Sequence, residues 1–258
     1  MDTKLKKIAR TGYVAKGVVY GITGVLTFMA AFNLGGQKTG KTGVIEFLEK
    51  QSFGNVLLVL MALGLLCYVA WRFIQAFQDP ENIGSDKKSK VKRFAFFISG
   101  LVYLALAFYA MKTLIDAGSS GGGNSFEFLK GTLGVIIFAI IGLSLAGTSI
   151  FQFKKAYTGK FLEKFNYKSI SERKRRKTIK TTGYLGILAR AIIFGIISFF
   201  FLKAAYQSNT SNIQSTSDAF SFLQDSSYGS WLMGVVAAGF ICYAIHMFAT
   251  AKYRQFQT

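Results

Sequence analysis

At 258 residues, 51% hydrophobic and 17% charged, the chain carries too little charge to clothe a soluble domain of its length. Its 31 Lys and Arg against 12 Asp and Glu give a net charge of +19, which in a soluble protein would suggest nucleic acid. The basic residues lie instead in short segments between long apolar blocks, so anionic lipid headgroups are the expected partner and nucleic acid is not.

A bilayer core of about 30 Å takes roughly 20 helical residues, and six segments of the chain qualify. The first covers 13–34. Lys4, Lys6, Lys7 and Arg10 ahead of it would suit a signal peptide, but the apolar stretch exceeds the roughly 7–15 residues of such a segment, so it is expected to be retained. The connection that follows holds Gly35-Gly-Gln-Lys-Thr-Gly40-Lys41-Thr42, the residue pattern of a phosphate-binding loop. Such a loop joins a buried strand to a helix N-terminus. Here it follows an apolar span, so a flexible polar turn is expected and a nucleotide site is not. The second span is 55–77, and five basic residues, Lys87, Lys88, Lys90, Lys92 and Arg93, separate it from the third at 94–115. The fourth, 131–153, leads to the run Glu172-Arg-Lys-Arg-Arg-Lys-Thr-Ile-Lys180, expected to face anionic lipid. The fifth and sixth spans cover 183–206 and 229–251. In lipid the backbone must satisfy its own hydrogen bonds, and the alternating polarity of a closed barrel is absent, so the expected fold class is all-α.

Orientation follows from the basic residues. The two tails and the second and fourth connections hold 22 of them, against 6 in the remaining connections. The positive-inside rule then predicts both termini in the cytoplasm. Trp71 and Trp231 fall near opposite span ends, where interfacial aromatic belts would place them.

The odd spans share a pattern: Gly17-Val-Val-Tyr20 then Gly24, Gly100-Leu-Val-Tyr103 then Ala107, and Ala191-Ile-Ile-Phe194 then Ser198. The outer connections share another, in which Glu46-Phe47-Leu48, Glu127-Phe128-Leu129 and Phe220-Ser221-Phe222-Leu223 precede Gly54, Gly134 and Gly229. Gly64 aligns with Gly239, Tyr68 with Tyr243, and Trp71 with Phe151 and His246. The chain therefore reads as a single transmembrane domain over 1–258, built of three tandem helical hairpins at about 1–82, 83–177 and 178–258. Copies running in one direction predict pseudo-threefold symmetry about the membrane normal, unlike the inverted repeats of many transporters.

Two strings carry a resemblance: Arg10-x-Gly12-Tyr13-x-x-Lys16-Gly17-x-x-Tyr20 and Gly64-x-x-x-Tyr68-x-x-Trp71-Arg72-x-x-x-Ala76. With them the chain resembles a bacterial membrane-protein family of unknown function built from three two-helix repeats. The middle copy departs, with Thr148 and Gln152 at the tyrosine and arginine positions. The resemblance implies the bacterial inner (plasma) membrane and brings no activity.

Lys16, Arg72 and Arg190 enter the apolar blocks near their basic ends, Lys16 and Arg190 at equivalent repeat positions. Snorkelling to the headgroups is the ordinary reading. The functional one is a basic cytoplasmic mouth made of Lys16, Arg72, Arg190 and His246 that contacts an anionic lipid or small anion. His246 is the single histidine, and the two cysteines, Cys67 and Cys242, lie in apolar blocks, so no metal, cofactor or catalytic residue is expected. Small residues such as Gly17 and Gly21, Ala146 and Ser149, and Gly234 and Ala238 suit close helix packing. Every Asp and Glu lies outside the span centres, which disfavours coupled transport. A non-catalytic scaffold or accessory subunit beside a membrane-protein partner is the leading expectation. The alternative is a passive pore or carrier for a small neutral or anionic solute, which polar residues such as Tyr20, Thr23, Tyr103 and Ser198 on one face would favour. A lipid-handling enzyme stands third.

Overall fold

The computed structural model describes residues 3–115, 132–165, 173–206, 224 and 228–254. All named elements are helices: α1 Thr3–Ala31, α2 Lys41–Glu49, α3 Gly54–Phe77, α4 Lys87–Ile115, α5 Thr132–Thr158, a 3-10 turn at Lys160–Lys164, α6 Arg173–Tyr206 and α7 Gly229–Tyr253. Five of these, α1, α3, α4, α6 and α7, contain stretches long and apolar enough to cross a membrane. The expected fourth span falls on α5, outside that five. The third outer pattern, 220–223, lies outside the described residues, as does the second, 127–129.

Helices α1, α4 and α6 begin well before their apolar blocks, inside the basic segments read as connections. Lys and Arg are good helix formers, and nothing there breaks the backbone ladder. The chain's one proline, Pro80, sits where the ladder does stop, between α3 and α4. Asp79 and Asn82 adopt positive φ of 47° and 48° in this turn. The Asp79 carboxylate accepts the Ile83 and Gly84 amides at 2.8 and 3.0 Å, and those amides hold its carboxyl below the usual range. Arg93 donates to the carbonyls of Ala76 and Phe77 at 2.8 and 2.7 Å, which satisfies the last turn of α3.

The main packed interfaces follow the order α4–α3–α1–α7–α6–α5. The first and last long helices make the most extensive one. Along it a Cβ on Gly17 would meet Phe248, one on Gly24 would lie 2.9 Å from the Ala237 carbonyl, and Gly21 lies against Ala244. The small residues thus serve helix approach.

The packing of α3 on α1 and that of α7 on α6 match in detail. A Cβ on Gly12 would fall 2.5 Å from the Cα of Tyr68, and one on Gly186 would fall 2.4 Å from the Cα of Tyr243. Gly64 abuts the methyl of Ala15 as Gly239 abuts that of Ala189. Helices α3 and α7 even start alike, from Phe53 at φ −116°, ψ 35° and Tyr228 at φ −118°, ψ 31°. The middle unit differs: α4 and α5 share no extended interface among the described residues. Phe151 is exposed where its counterparts Trp71 and His246 are buried. Helix α5 instead joins α6, where Ser149 and Ser198 donate to the Ala191 and Gly142 carbonyls, each at 2.7 Å.

One expectation is corrected. Trp71 is 0% exposed and donates its indole N–H to the Tyr13 hydroxyl at 3.2 Å. It belongs to the protein core and not to an interfacial belt, because the Gly12–Tyr68 approach closes α1 over it. Trp231 is exposed, its ring edge against Phe32. The polar turn expected after α1 occupies residues 32–40, while Lys41 and Thr42 of the same pattern already begin α2, whose Val44, Ile45 and Leu48 are buried.

Candidate functional site

Lys16 projects from the middle of α1, Arg72 from the last turns of α3, and Arg190 from the middle of α6. At about 1.5 Å per residue they lie about 22, 27 and 24 Å from the helix ends Ala31, Gly54 and Tyr206. Against a hydrocarbon core of about 30 Å, all three sit a turn or so inside the end of the bundle where the basic segments gather.

The three cations converge on tyrosines. The Tyr68 hydroxyl accepts from Lys16 Nζ at 2.8 Å and from Arg72 Nε at 2.7 Å. The Tyr243 hydroxyl accepts from Arg190 at 2.6 Å. Lys16 is 4% exposed, with its ammonium 4.8, 5.2 and 5.8 Å from the ring centroids of Tyr68, Tyr103 and Tyr243. The Arg190 guanidinium lies 5.2 Å from the Tyr20 ring and 4.5 Å from that of Tyr243. Aromatic faces attract cations and make such crowding tolerable. They do not neutralise it. Burying a charge is costly unless it is paired, and neither Lys16 nor Arg190 has a carboxylate partner among the described residues.

Several donors there are also unused. The hydroxyls of Tyr20 and Tyr103, both 3% exposed, lack a partner at hydrogen-bonding geometry, as does Nε of Arg190. Buried polar groups of this kind call for a partner. Together the side chains present hydrogen-bond donors and positive charge from several directions. That arrangement suits an anion.

Arg72 faces both ways. Its other nitrogen donates to Gln75 at 2.9 Å, and Gln75 donates to Glu81 at 3.1 Å. Glu81 pairs with Arg254, which also donates to Tyr13. Through this chain the α3–α4 turn and the last described residue tie together across α1. Arg254 forms a single antiparallel bridge with Phe165 as well, next to the 3-10 turn.

Of the sequence-predicted residues, Lys16, Arg72 and Arg190 come together and His246 does not. Its ring is 4% exposed and packs against Phe161 and Phe165 at 5.2 and 5.5 Å between centroids, beside Gly183. Tyr243, one turn away, separates it from the cations. The tyrosines were missed as contacts, although the i, i+4 spacing of Tyr68 and Arg72 was readable. Lys41 was missed too; its ammonium lies 5.0 Å from the Tyr103 ring. At the basic end, an open groove of about 800 Å³ runs between the 3-10 turn and the start of α6, lined by Leu162, Arg173, Lys174, Arg176, Lys177 and Lys180.

The fold and site define a helical multi-pass membrane protein with a cationic, tyrosine-lined centre. The chain belongs to the family described as Domain of Unknown Function (DUF1206), whose model matches residues 11–79 and 185–254. These two stretches hold the α1–α3 and α6–α7 contacts whose packing coincides. The chain is also 28% identical over 253 residues to the uncharacterized protein YxxB of Bacillus subtilis (strain 168), covering 97% of this chain and 91% of that one. No solved structure matches it significantly.

Proposed function

We propose that this protein binds a small oxyanion of the phosphate type within the bacterial plasma membrane, at the site of Lys16, Arg72 and Arg190, and carries it passively. The observation behind this reading is the convergence of three cations on Tyr68 and Tyr243, with no acidic partner for Lys16 or Arg190 and with unused donors on Tyr20, Tyr103 and Arg190. Guanidinium forks match oxyanions better than spherical ions. Transport without coupling fits spans that carry no central carboxylate. In this reading α5, uncharged from Leu133 to Phe153, is a fourth of six spans, the three hairpins descend from one unit, and both termini are cytoplasmic. The site then opens toward the cytoplasmic leaflet, where a free oxyanion or a lipid phosphate could occupy it.

The test is anion-dependent thermal stability of delipidated protein at constant ionic strength, alongside native mass spectrometry for retained lipid. Ligand at 100 times its Kd stabilises by about 2.7 kcal/mol. Inorganic phosphate is expected to stabilise the wild type and not the Lys16→Gln/Arg190→Gln variant. A retained anionic lipid that the variant loses would identify the lipid source. Equal behaviour of the two proteins toward both ligands would remove the site.

A second reading, an accessory subunit, draws on the unpartnered apolar faces of α4 and α5, including Leu101, Phe108, Ile140 and Leu143. A membrane protein eluting stoichiometrically in mild detergent would support it.

A further inference from the structure

Residues 32–40 turn back alongside α1. The Thr39 amide meets the Thr27 hydroxyl at 3.5 Å, and a Cβ on Gly36 would fall 2.5 Å from the Leu26 carbonyl. Gly36 has a φ of 81°, as does Gly35, so these glycines permit a turn that other residues would strain. Helix α2 then runs back outward in the cleft of α1, α3 and α4. Its direction is given by two contacts: Lys41, at its start, lies against Tyr103, whereas Glu46 accepts from Tyr109, further along α4. The segment therefore enters the bundle and leaves by the same end. It points a helix N-terminus, with no side-chain cap on Gly40, toward the tyrosine-lined centre.

Two independent features meet that N-terminus. One is Lys41, whose ammonium lies 5.0 Å from the Tyr103 ring that Lys16 also approaches at 5.2 Å. The other is the buried Tyr103, whose ring lies under the Lys41 ammonium and whose hydroxyl lacks a partner at hydrogen-bonding geometry. Uncapped amides at a helix start carry partial positive charge and bind anions. Resting on the anion-binding reading above, we infer that α2 is a re-entrant gate whose N-terminus and Lys41 form the outward-facing half of the oxyanion site. Tyr103 touches both that half and Lys16, so an oxyanion would pass from Lys41 to Lys16 along it and on to Arg190. A charged residue at this step serves as a relay in place of the ion's water shell, and the glycines of 35–40 let the segment move.

Lys41→Cys in a Cys67→Ala/Cys242→Ala background, in right-side-out cells, tests this with a membrane-impermeant anionic methanethiosulfonate. Labelling from outside, slowed about fivefold by inorganic phosphate bound at several times its Kd, is expected. Purified Lys41→Gln protein should bind phosphate about tenfold more weakly, the loss of one charge-assisted contact, and Lys41→Arg should restore it. If the wild type binds phosphate but Lys41→Cys labels at the same rate with and without it, the gate is wrong and the inner site stands. Absence of outside labelling overturns the gate equally. If phosphate binds neither the wild type nor any variant, the anion reading falls with it.

Discussion

Replacing Gly12 by alanine builds a methyl group 2.5 Å from the Cα and 2.7 Å from the amide nitrogen of Tyr68. Carbon atoms in contact sit about 3.5–4.0 Å apart, so α3 must retreat by about 1 Å along its contact with α1. Overpacking of this kind costs about 1–3 kcal/mol, against about 0.5–1 kcal/mol gained by removing a helical glycine. A net loss of about 1–2 kcal/mol is expected. The retreat has a second effect, because Lys16 follows Gly12 by one turn and reaches the Tyr68 hydroxyl at 2.8 Å. Gly186→Ala should act likewise through Tyr243 and Arg190, since its new methyl would lie 2.4 Å from the Tyr243 Cα. Gly147→Ala is the control: nothing lies within 4 Å of its added carbon, so it should be neutral or stabilise by up to about 1 kcal/mol. Unfolding in detergent, followed by thiol exposure of Cys67 and Cys242, reads all three. Equal stabilities for Gly12→Ala and Gly147→Ala would refute the close crossing, and an unchanged phosphate response in Gly12→Ala would uncouple it from the cation site.

Four other outcomes are expected. The Lys16 and Arg72 nitrogens share the Tyr68 oxygen and so lie within about 5.5 Å of each other. At an effective dielectric constant of about 20 their repulsion is about 3 kcal/mol. Lys16→Met should therefore stabilise the unliganded protein while abolishing phosphate binding; destabilisation would mean that the tyrosine faces alone satisfy the charge. Arg254→Gln should cost about 3 kcal/mol by removing the guanidinium that faces the part-buried Glu81, and Glu81→Gln added to it should recover part of that in a double-mutant cycle. Trp231 should be quenched by lipid-attached quenchers and Trp71 should not, which emission from Trp71→Phe and Trp231→Phe proteins resolves. Finally, the folded Asp79 carboxyl is held below its unfolded value, so its contribution is present above about pH 4 and is lost as pH falls through the folded value. Asp79→Asn should flatten that part of the stability profile.

Five of the six expected spans were legible because lipid imposes one rule on every residue of an apolar block, and long uncharged runs satisfy it whatever they pack against. Helix starts were less so, since Lys4 to Arg10 and Arg173 to Lys180 continue the helix into water at no cost to its backbone. The repeat positions of Lys16 and Arg190 marked two members of the cation cluster in advance. Nothing local marked Lys41, because the inward turn of 32–40 depends on what Gly36 and Thr39 meet on α1. The apolar run of α2 is also too short for its period to separate a buried helix from a loop. Trp71 was misread for a related reason: a tryptophan near a span end looks interfacial until a facing glycine brings another helix over it.

The broad contact between α1 and α7 joins the first long helix of the chain to the last. Interfaces between α3 and α4 or α5 and α6 can form as soon as neighbouring segments leave the ribosome. The Gly17, Gly21 and Gly24 face of α1 has to wait until residues 229–253 are synthesised. Until then that face meets lipid, with three backbone-thin positions and no partner. The α1 face is thus covered only when α7 arrives, and Arg254, directly after α7, fastens the closed arrangement to Tyr13 and Glu81. A chain cut short before α7 would retain most of its spans yet lack Tyr243, the acceptor for Arg190, and the helix that packs between α1 and α6, which makes the arrival of α7 the event that creates the cation site.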